Sequence, residues 1–302
     1  MLRHPGVLIL VFSILSGCQE PKPAEISKSA KSTLAQARAK GTIRIGYANE
    51  APYAYYDPEQ DRLTGEAPEI ARHVFKGMGI PNIEGVLTEF GALIPGLKAK
   101  RFDVIAAGMY ITPERCNEVA FSNPTYGIGQ GFIVKKNNPK VLHSYEDVAR
   151  HDKAKLGVVA GTVEISYAQT TGIPEGRLMI FPDALAALAG IQTDRIDAFA
   201  ATSLTVQTLM NKAKDESIER AKPFKDPIIN GKQIIGYGAF VLRKKDHDLI
   251  QSLNKGLAEL LGSKTHLEMV EPFGFTKQEL PGGVTAGEVC LGILTDRNGA
   301  EK

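Results

Sequence analysis

Apolar and polar positions follow two different periods along the chain. Short apolar runs typical of β-strands occur at residues 42–47, 86–90, 103–107, 131–136, 155–159, 178–181, 197–201 and 237–243. Segments of helical period lie between them, at residues 69–78, 92–100, 144–151, 163–171, 184–193, 203–213 and 246–261. Strands that alternate with helices predict an α/β protein. Short segments around Tyr55 and Thr64 add the prediction of a small hairpin.

The pattern of residues 96–108 recurs at residues 190–202. Each copy has a glycine near a helix end, an Arg-apolar-Asp turn, a buried strand and an Ala-Ala pair. The repetition predicts two α/β lobes that each point one strand at a shared cleft, and such clefts are favoured ligand sites. We expect lobe 1 to comprise residues 41–131 and 236–280, lobe 2 residues 132–235, and a C-terminal tail residues 281–302.

The strongest candidate for ligand recognition is Arg115. The preceding strand ends at Gly108, where the backbone can approach a neighbour or ligand closely. Thr112-Pro113-Glu114 then has the N-cap, N1 proline and first-turn acid of a helix start. Arg115 thus lies at the carboxyl end of a strand, where open α/β sheets bind ligands, and its guanidinium suits a carboxylate. The alternative is a surface arginine on an ordinary loop.

A second anion site is predicted in the other lobe. Gly161 and Thr162 form a sharp loop before the helix at residues 163–171. A hydroxyl and backbone N–H groups at a helix start favour an anionic group. The alternative role of Thr162 is helix capping alone.

Aromatic residues follow three consecutive strands of lobe 1: Tyr53, Phe90 and Tyr110. At one rim of a sheet they could enclose a flat or cationic ligand. Glu50, in the same loop as Tyr53, could pair with a ligand cation. The alternatives are core packing for the aromatic residues and a solvated position for the acid.

The sequence lacks the common catalytic patterns. No GxSxG, HExxH, CxxC or phosphate-loop motif occurs, and the six histidines have no metal-ligand spacing. We therefore expect no catalytic residues, no metal and no cofactor. The net charge of +2 gives no reason to expect a nucleic-acid partner.

The N-terminus has the features of an export signal. Arg3 and His4 precede an apolar run at residues 7–15, and residues 15–18 (LSGC) resemble a bacterial lipobox. We expect a lipoprotein signal peptide at residues 1–18, lipidation of Cys18, a tether at residues 19–40, and a periplasmic or cell-surface protein anchored to a membrane. The alternative is a secretory signal that is cleaved near Cys18 without lipidation.

Cys116 and Cys290 are the other two cysteines. In an exported protein a disulfide between them could tie the C-terminal tail to the lobe that carries Arg115. The alternative is two separate thiols.

Six segments together resemble the polar-amino-acid type of ABC-importer solute-binding proteins, bacterial extracellular solute-binding protein family 3. The segments are residues 42–47 (TIRIGY), 65–71 (GEAPEIA), 94–97 (IPGL), 103–105 (DVI), 112–115 (TPER) and 121–126 (FSNPTY). The resemblance implies a periplasmic-binding-protein-like fold of two lobes with a double crossover hinge that closes on ligand. It further implies that Arg115 holds a ligand α-carboxylate with help from Thr162, and that a monomer delivers the solute to a membrane permease.

One departure bears on the ligand. Amino-acid binders of this type usually place an Asp for the α-ammonium group where this chain has Thr202. With Glu50 and the three aromatic residues, the departure resembles the branch that binds ectoine or hydroxyectoine, which are compatible solutes used in osmoprotection. A polar amino acid is the alternative ligand. Two other classes remain: a cyclohexadienyl-dehydratase-like enzyme with Glu50 as its acid or base, and a sensory module, which is normally fused to a transmembrane segment.

Overall fold

The computed structural model describes residues 1–2, 32–229 and 231–292. Residues 1 and 2 belong to a separate N-terminal unit that ends at Lys31, and every element described below belongs to the unit that starts at Ser32. The predicted lipobox and the predicted tether up to residue 31 lie outside the described residues. Within the described ranges, no helix combines the length and the apolar character that crossing a membrane requires.

The described chain contains strands and helices in alternation. The strands are β1 (Thr42–Tyr47), β2 (Tyr55–Asp57), β3 (Arg62–Thr64), β4 (Asn82–Leu87), β5 (Val104–Tyr110), β6 (Ala120–Phe121), β7 (Tyr126–Ile128), β8 (Gln130–Lys135), β9 (Leu156–Val159), β10 (Leu178–Phe181), β11 (Ala198–Thr202), β12 (Ile218–Arg220), β13 (Ile228–Ile229), β14 (Lys232–Gln233) and β15 (Gly236–Leu242). The helices are α1 (Thr33–Lys40), α2 (Glu66–Gly77), α3 (Leu93–Lys98), α4 (Pro113–Glu118), α5 (Tyr145–Arg150), α6 (Val163–Thr170), α7 (Ala184–Gln192), α8 (Ser203–Ala213), α9 (His247–Leu260), α10 (Lys264–Val270) and α11 (Ala286–Cys290). The predicted hairpin is confirmed as β2 and β3.

Two sheets of matching strand order form the centres of the two lobes. The lobe 1 sheet has the order β4-β1-β5-β15-β6, with β7 also paired to β15, and the lobe 2 sheet has the order β10-β9-β11-β8-β12. In each sheet three parallel strands are followed by an antiparallel one, which is β15 in lobe 1 and β8 in lobe 2. The predicted α/β fold with two lobes is thus confirmed.

The chain passes twice between the lobes. It leaves lobe 1 between β7 and β8, and it returns between β14 and β15. Gly129 occupies the first crossing, where an added Cβ atom would lie 2.6 Å from the Asp226 carboxylate. The two strands that flank each crossing therefore belong to different sheets, as a double crossover requires.

Each sheet buries apolar side chains on both faces. In β5, Val104 and Ala106 join one core cluster while Ile105 and Ala107 join another. Neighbouring residues of β11 divide in the same way between the two clusters of lobe 2. Because successive side chains of a strand point to opposite faces, helices must cover both sides of each sheet.

Helices near both ends of the described chain pack on lobe 1. Within the predicted tether, residues 33–40 form α1, which buries Leu34 and Ala37 against lobe 1. The Thr33 hydroxyl also donates to Asp246 at 2.8 Å. At the other end, residues 286–290 of the predicted tail form α11, and Val289 is buried in a lobe 1 core cluster.

The second predicted strand was misplaced. The apolar run at residues 86–90 predicted a strand that ends at Phe90, whereas β4 spans Asn82–Leu87 and Phe90 begins a 3₁₀ turn, Phe90–Ala92. As the edge strand of its sheet, β4 is largely exposed and carries little apolar signal.

Candidate functional site

One cavity between the lobes is lined by eight of the nine residues that the sequence predicted for ligand binding. They are Glu50, Tyr53, Phe90, Gly108, Tyr110, Arg115, Thr162 and Thr202. The ninth, Gly161, is exposed, and its carbonyl accepts a hydrogen bond from Arg115. The cavity has a volume of about 30 Å³ and is small beside the adjoining cavity described below.

Arg115 is positioned by the turn that follows β5. The Thr112 hydroxyl caps α4 and accepts a hydrogen bond from the Arg115 N–H at 3.2 Å. The guanidinium donates to the Tyr110 carbonyl at 2.7 Å and, across the cleft, to the Gly161 carbonyl at 2.8 Å. Its remaining N–H groups leave donors for an anion, and its central carbon lies 5.8 Å from the Phe90 ring centroid.

Tyr53 forms one wall of the cavity and depends on Gly108. Gly108 has a φ of +64°, and a Cβ atom there would lie 2.5 Å from the Tyr53 ring. The ring stacks on Tyr126 with centroids 5.1 Å apart, and the Tyr126 hydroxyl donates to the Gly108 carbonyl at 2.8 Å. Gly108 thus allows close approach of an aromatic side chain, which is buried to 2% exposure.

Tyr110 is also held by its surroundings. Its hydroxyl donates to the Ile128 carbonyl at 3.2 Å, and its ring covers Gly236, where no Cβ atom would fit. The three predicted aromatic residues thus border the cavity while being buried, so core packing and a place in the site are compatible for them.

Glu50 contributes a carboxylate with an unusual protonation equilibrium. The pKa of Glu50 is raised to about 7, chiefly by burial and in part by the nearby charge of Glu164, while a hydrogen bond from the Thr205 hydroxyl opposes the rise. That bond, 2.7 Å long, crosses from lobe 2 to lobe 1. A bound cation would favour the ionised form of Glu50.

Thr162 and Glu164 line the cavity from lobe 2. Thr162 is the N-cap residue of α6, but its hydroxyl makes no capping hydrogen bond and donates to the Val159 carbonyl at 2.9 Å. Glu164 is buried, and burial raises its pKa, opposed by the Thr162 hydroxyl and by the charge of Arg115. Burial lowers the pKa of Arg115, and Glu164 is the charge that most opposes that change.

Thr202 occupies the end of β11, with Ala200 and Ala201 beside it in the cavity wall. Its hydroxyl accepts a hydrogen bond from the Tyr53 hydroxyl across the cleft at 2.7 Å. The lobes also meet at two glycines, because a Cβ atom at Gly161 would lie 2.6 Å from the Gly91 Cα atom. Both lobes are thus in direct contact around the site.

A larger cavity of about 510 Å³ adjoins the site. It shares Glu50, Phe90 and Val159 with the inner cavity and is otherwise bordered by residues of both lobes, among them Tyr55 and Lys212. The Lys212 ammonium lies 4.9 Å from the Tyr55 ring centroid, a cation–π distance between the lobes. The larger cavity therefore offers a route from the surface to Glu50.

A disulfide supports the helix that carries Arg115. Cys116 and Cys290 are joined, with their Cα atoms 5.8 Å apart. The bond connects α4 to α11, so the last helix described is covalently fixed beside the site. Among the residues described, no group of three or more His, Cys, Asp or Glu side chains could hold a metal ion.

Three residues around the cavity were absent from the sequence prediction: Tyr126, Glu164 and Thr205. Tyr126 supports Tyr53, Glu164 lines the cavity, and Thr205 binds Glu50. A signal for Thr205 did exist, because it follows Thr202 by three positions just as Arg115 follows Thr112. First-turn acids such as Glu164 are common on any helix and gave no comparable signal.

Comparison with known proteins shows the family. The model of bacterial extracellular solute-binding proteins, family 3, matches residues 43–276. A probable amino-acid ABC transporter periplasmic-binding protein, y4tE of Sinorhizobium fredii, is 37% identical over 262 residues, which is 85% of this chain and 86% of the relative. The crystal structure of EhuB in complex with hydroxyectoine has a TM-score of 0.77 and 32% identity, and the match covers 85% of this chain and 97% of that one.

A third similar protein is an ancestral amino acid-binding protein. The crystal structure of the ancestral amino acid-binding protein AncCDT-1, a precursor of cyclohexadienyl dehydratase, has a TM-score of 0.68 and 26% identity, over 80% of this chain and 99% of that one. The family match extends from β1 past α10, and the two sheets agree with the fold that the sequence resemblance implied. The chain belongs to the bacterial extracellular solute-binding proteins, family 3.

Proposed function

We propose that the protein captures ectoine or hydroxyectoine by lobe closure and delivers it to the membrane permease of an ABC importer. The observation that carries the proposal is a single cavity that combines Arg115, Glu50 and three aromatic side chains, with Thr202 where an Asp would hold an α-ammonium group. The names of two similar proteins support it, since one is a hydroxyectoine complex and the other an ABC transporter component.

Arg115 would hold the carboxylate of the solute. Its guanidinium is fixed by two backbone carbonyls, one from each lobe, and retains further donors. The start of α6 beside Thr162 adds favourable partial charge for an anion. Since one of the two carbonyls belongs to lobe 2, the same guanidinium would link carboxylate binding to closure.

Glu50 and the aromatic residues would hold the cation. Ectoine carries its positive charge over a ring amidine, and delocalised charge suits aromatic faces with one carboxylate. An α-ammonium group is a compact charge that favours a dedicated acid at the end of β11, where Thr202 stands. This difference favours an amidine over an ordinary α-amino acid.

Calorimetric titration with ectoine, hydroxyectoine and a panel of polar amino acids tests the proposal. We expect binding of the ectoine pair and loss of at least about 30-fold in affinity for Arg115→Ala, because an unpaired buried carboxylate costs about 2 kcal/mol or more. Arg101→Ala, at an exposed arginine of lobe 1, is the control and should bind normally. Tight binding of histidine or glutamine without any response to ectoine would contradict the ligand assignment.

An enzymatic role is the alternative, and the observation that favours it is the pKa of Glu50, raised to about 7. An acid that titrates near neutrality suits general acid–base catalysis. AncCDT-1, named as a precursor of cyclohexadienyl dehydratase, makes prephenate and arogenate the substrates to try. Turnover of either, followed by NMR and lost in Glu50→Gln, would favour the enzyme over a pure binding protein.

We also propose that the protein is exported and anchored through a lipid on Cys18, as a periplasmic or cell-surface monomer. The support is the lipobox at residues 15–18 after an apolar run. Two or more acyl chains would anchor it stably, whereas one chain would not. Labelled palmitate should be incorporated by the wild type and not by Cys18→Ser, and incorporation by both would contradict the anchor.

A further inference from the structure

We propose that Thr205 is a positioning residue for solute binding: with Thr202 it forms a hydroxyl relay that holds Glu50 and Tyr53 in place when the lobes close. The inference rests on the proposed function only in giving Glu50 and Tyr53 a role in binding the solute. The relay consists of Tyr53, Thr202, Thr205 and Glu50, in that order.

The relay is a continuous chain of hydrogen bonds. The Tyr53 hydroxyl donates to the Thr202 hydroxyl at 2.7 Å, which donates to the Thr205 hydroxyl at 3.0 Å, which donates to Glu50 Oε1 at 2.7 Å. Each hydroxyl has one proton, so an acceptor carboxylate at one end fixes the direction of every bond. The chain starts and ends in lobe 1 and passes through lobe 2, and it exists only while the lobes are in contact.

Burial differs along the relay. Thr205 has 0% exposure and Tyr53 has 2%, whereas Thr202 and Glu50 are half-buried. The backbone N–H of Thr205 also donates to the Thr202 hydroxyl at 3.2 Å, so the start of α8 fixes the spacing of the two threonines. Removal of the Thr205 hydroxyl would leave Glu50 without its donor from lobe 2 and would interrupt the connection to Tyr53.

Thr205 is the lobe 2 counterpart of Arg115. Thr112 and Thr202 are the N-caps of α4 and α8, and each accepts a hydrogen bond from the backbone N–H three residues later, at 3.2 Å in both lobes. Arg115 extends from that position to the Gly161 carbonyl of lobe 2, whereas Thr205 extends to Glu50 of lobe 1. Each lobe therefore sends one side chain across the cleft from the same position of the same turn.

The relay also affects how Glu50 titrates. Burial and the charge of Glu164 favour the neutral acid, and the Thr205 hydrogen bond favours the ionised form. Other ionisable groups around Glu50 are Arg115, which lines the same cavity, and the buried hydroxyls of Tyr53 and Tyr126. On the side of the larger cavity, Glu89, Asp183 and Lys212 border it together with Glu50. Without the Thr205 donor, ionisation of Glu50, and with it cation binding, should require a higher pH.

The test compares Thr205→Val with Thr205→Ser and with Thr171→Val, by calorimetric titration of hydroxyectoine from pH 5.5 to 8.5. Thr171 is the matched control because its hydroxyl donates only within lobe 2, to the carbonyls of Tyr167 and Ala168. We expect Thr205→Val to weaken binding roughly 10- to 100-fold, the effect of losing a hydrogen bond to a charged group, and to shift the pH profile upward. Thr205→Ser should restore most of the affinity, and Thr171→Val should match the wild type.

In the titrations, two results would overturn the inference: a Thr205→Val protein with an unchanged pH profile and affinity, or a Thr205→Ser protein that binds as weakly as Thr205→Val. If the wild-type protein does not bind hydroxyectoine, the ligand proposal fails, and the relay is then tested without solute. Thermal unfolding of Glu50→Gln, Thr205→Val and the double variant should then show non-additive shifts, since the residues are in contact. Additive shifts would overturn the relay independently of any ligand.

Discussion

The segment from α3 through β5 and the segment from α7 through β11 share one backbone design. In each, the second residue after the helix is left-handed, with φ +60° at Lys100 and +59° at Asp194. The next residue donates from its N–H to the carbonyl of a helix glycine, from Arg101 to Gly96 and from Arg195 to Gly190, at 2.9 Å in both cases. The repeated sequence pattern is thus a repeated set of hydrogen bonds.

Packing in the two segments is also equivalent. The apolar residue of each turn, Phe102 or Ile196, lies over a glycine of the neighbouring parallel strand, Gly46 in β1 or Gly157 in β9, so closely that a Cβ atom would collide with it. The two segments differ where the strands end. There lobe 1 presents Tyr110 and Arg115, whereas lobe 2 presents Thr202 and Thr205. The turn and the glycines thus determine the backbone that the two segments share. A few residues at or just beyond the end of each strand determine which side chains line the cleft.

The largest expected effect is that of replacing Glu66, a buried acid in the first turn of α2. Glu164 is a buried acid in the first turn of α6, so the two lobes are alike in this respect. Burial raises the pKa of Glu66 from 4.5 to about 7. The pKa of Glu66 is higher in the folded protein than in the unfolded chain, so folding favours the protonated acid. The resulting contribution to the free energy of unfolding is fully present below pH 4.5 and is lost as the pH rises through 7. Between pH 5 and pH 8 the wild type should therefore lose about 3 kcal/mol of its free energy of unfolding, and Glu66→Gln should not. Urea denaturation at the two pH values measures the difference.

Glu84→Gln, at an exposed acid of β4, is the control for that measurement and should keep the wild-type pH dependence. A Glu66→Gln protein whose stability falls with pH as steeply as that of the wild type would show that Glu66 is solvated, and the parallel with Glu164 would then be broken.

The second effect tests whether the two glycines are equivalent. Gly46→Ala and Gly157→Ala should each destabilise the protein by about 1–3 kcal/mol, because overpacking forces neighbours to move. Gly176→Ala, where no atom lies within 4 Å of the added Cβ, is the control. Chemical denaturation measures the loss. Ile196→Val should recover part of it in Gly157→Ala by removing the colliding methyl group, whereas equal stability of either single variant and the wild type would refute equivalent packing.

The smallest expected effect concerns the ion pairs of two aspartates at equivalent positions of the repeat. Asp103 pairs with Arg44 at 3.0 Å and with the buried Arg243 at 3.4 Å, whereas the equivalent Asp197 pairs with the partly exposed Lys140 at 2.7 Å. Asp103→Asn should cost about 1–2 kcal/mol and Asp197→Asn less than about 1 kcal/mol, since exposed pairs contribute little. Urea denaturation at low and high salt gives both values, and a larger loss for Asp197→Asn would reverse the interpretation.

The sequence was informative where local backbone requirements determine residue type. The glycines, the Arg-apolar-Asp turn and the N-cap threonine recur because the same hydrogen bonds recur, so two lobes and the place of Arg115 could be predicted. Gly108 was predicted as a point of close approach, and the structure shows that the Tyr53 ring is what approaches it.

The remaining features depend on contacts between distant parts of the chain. Thr205 and Glu164 have the residue types of any helix start, and only lobe contact brings Thr205 to Glu50 or Glu164 into the cavity. The edge strand β4 lacks an apolar face, so its position could not be read from periodicity. The helix α1 has a weak apolar pattern and is packed through only Leu34 and Ala37.

The disulfide has a consequence for the order in which the protein can be completed. Cys290 follows Cys116 by 174 residues, and every strand of lobe 2 lies in the interval between them. During synthesis the bond can close only after all of that interval has been made. A chain that is cut anywhere within lobe 2 would still migrate as one molecule until it is reduced. Gel mobility with and without reductant thus distinguishes an intact molecule from one that was finished and later nicked.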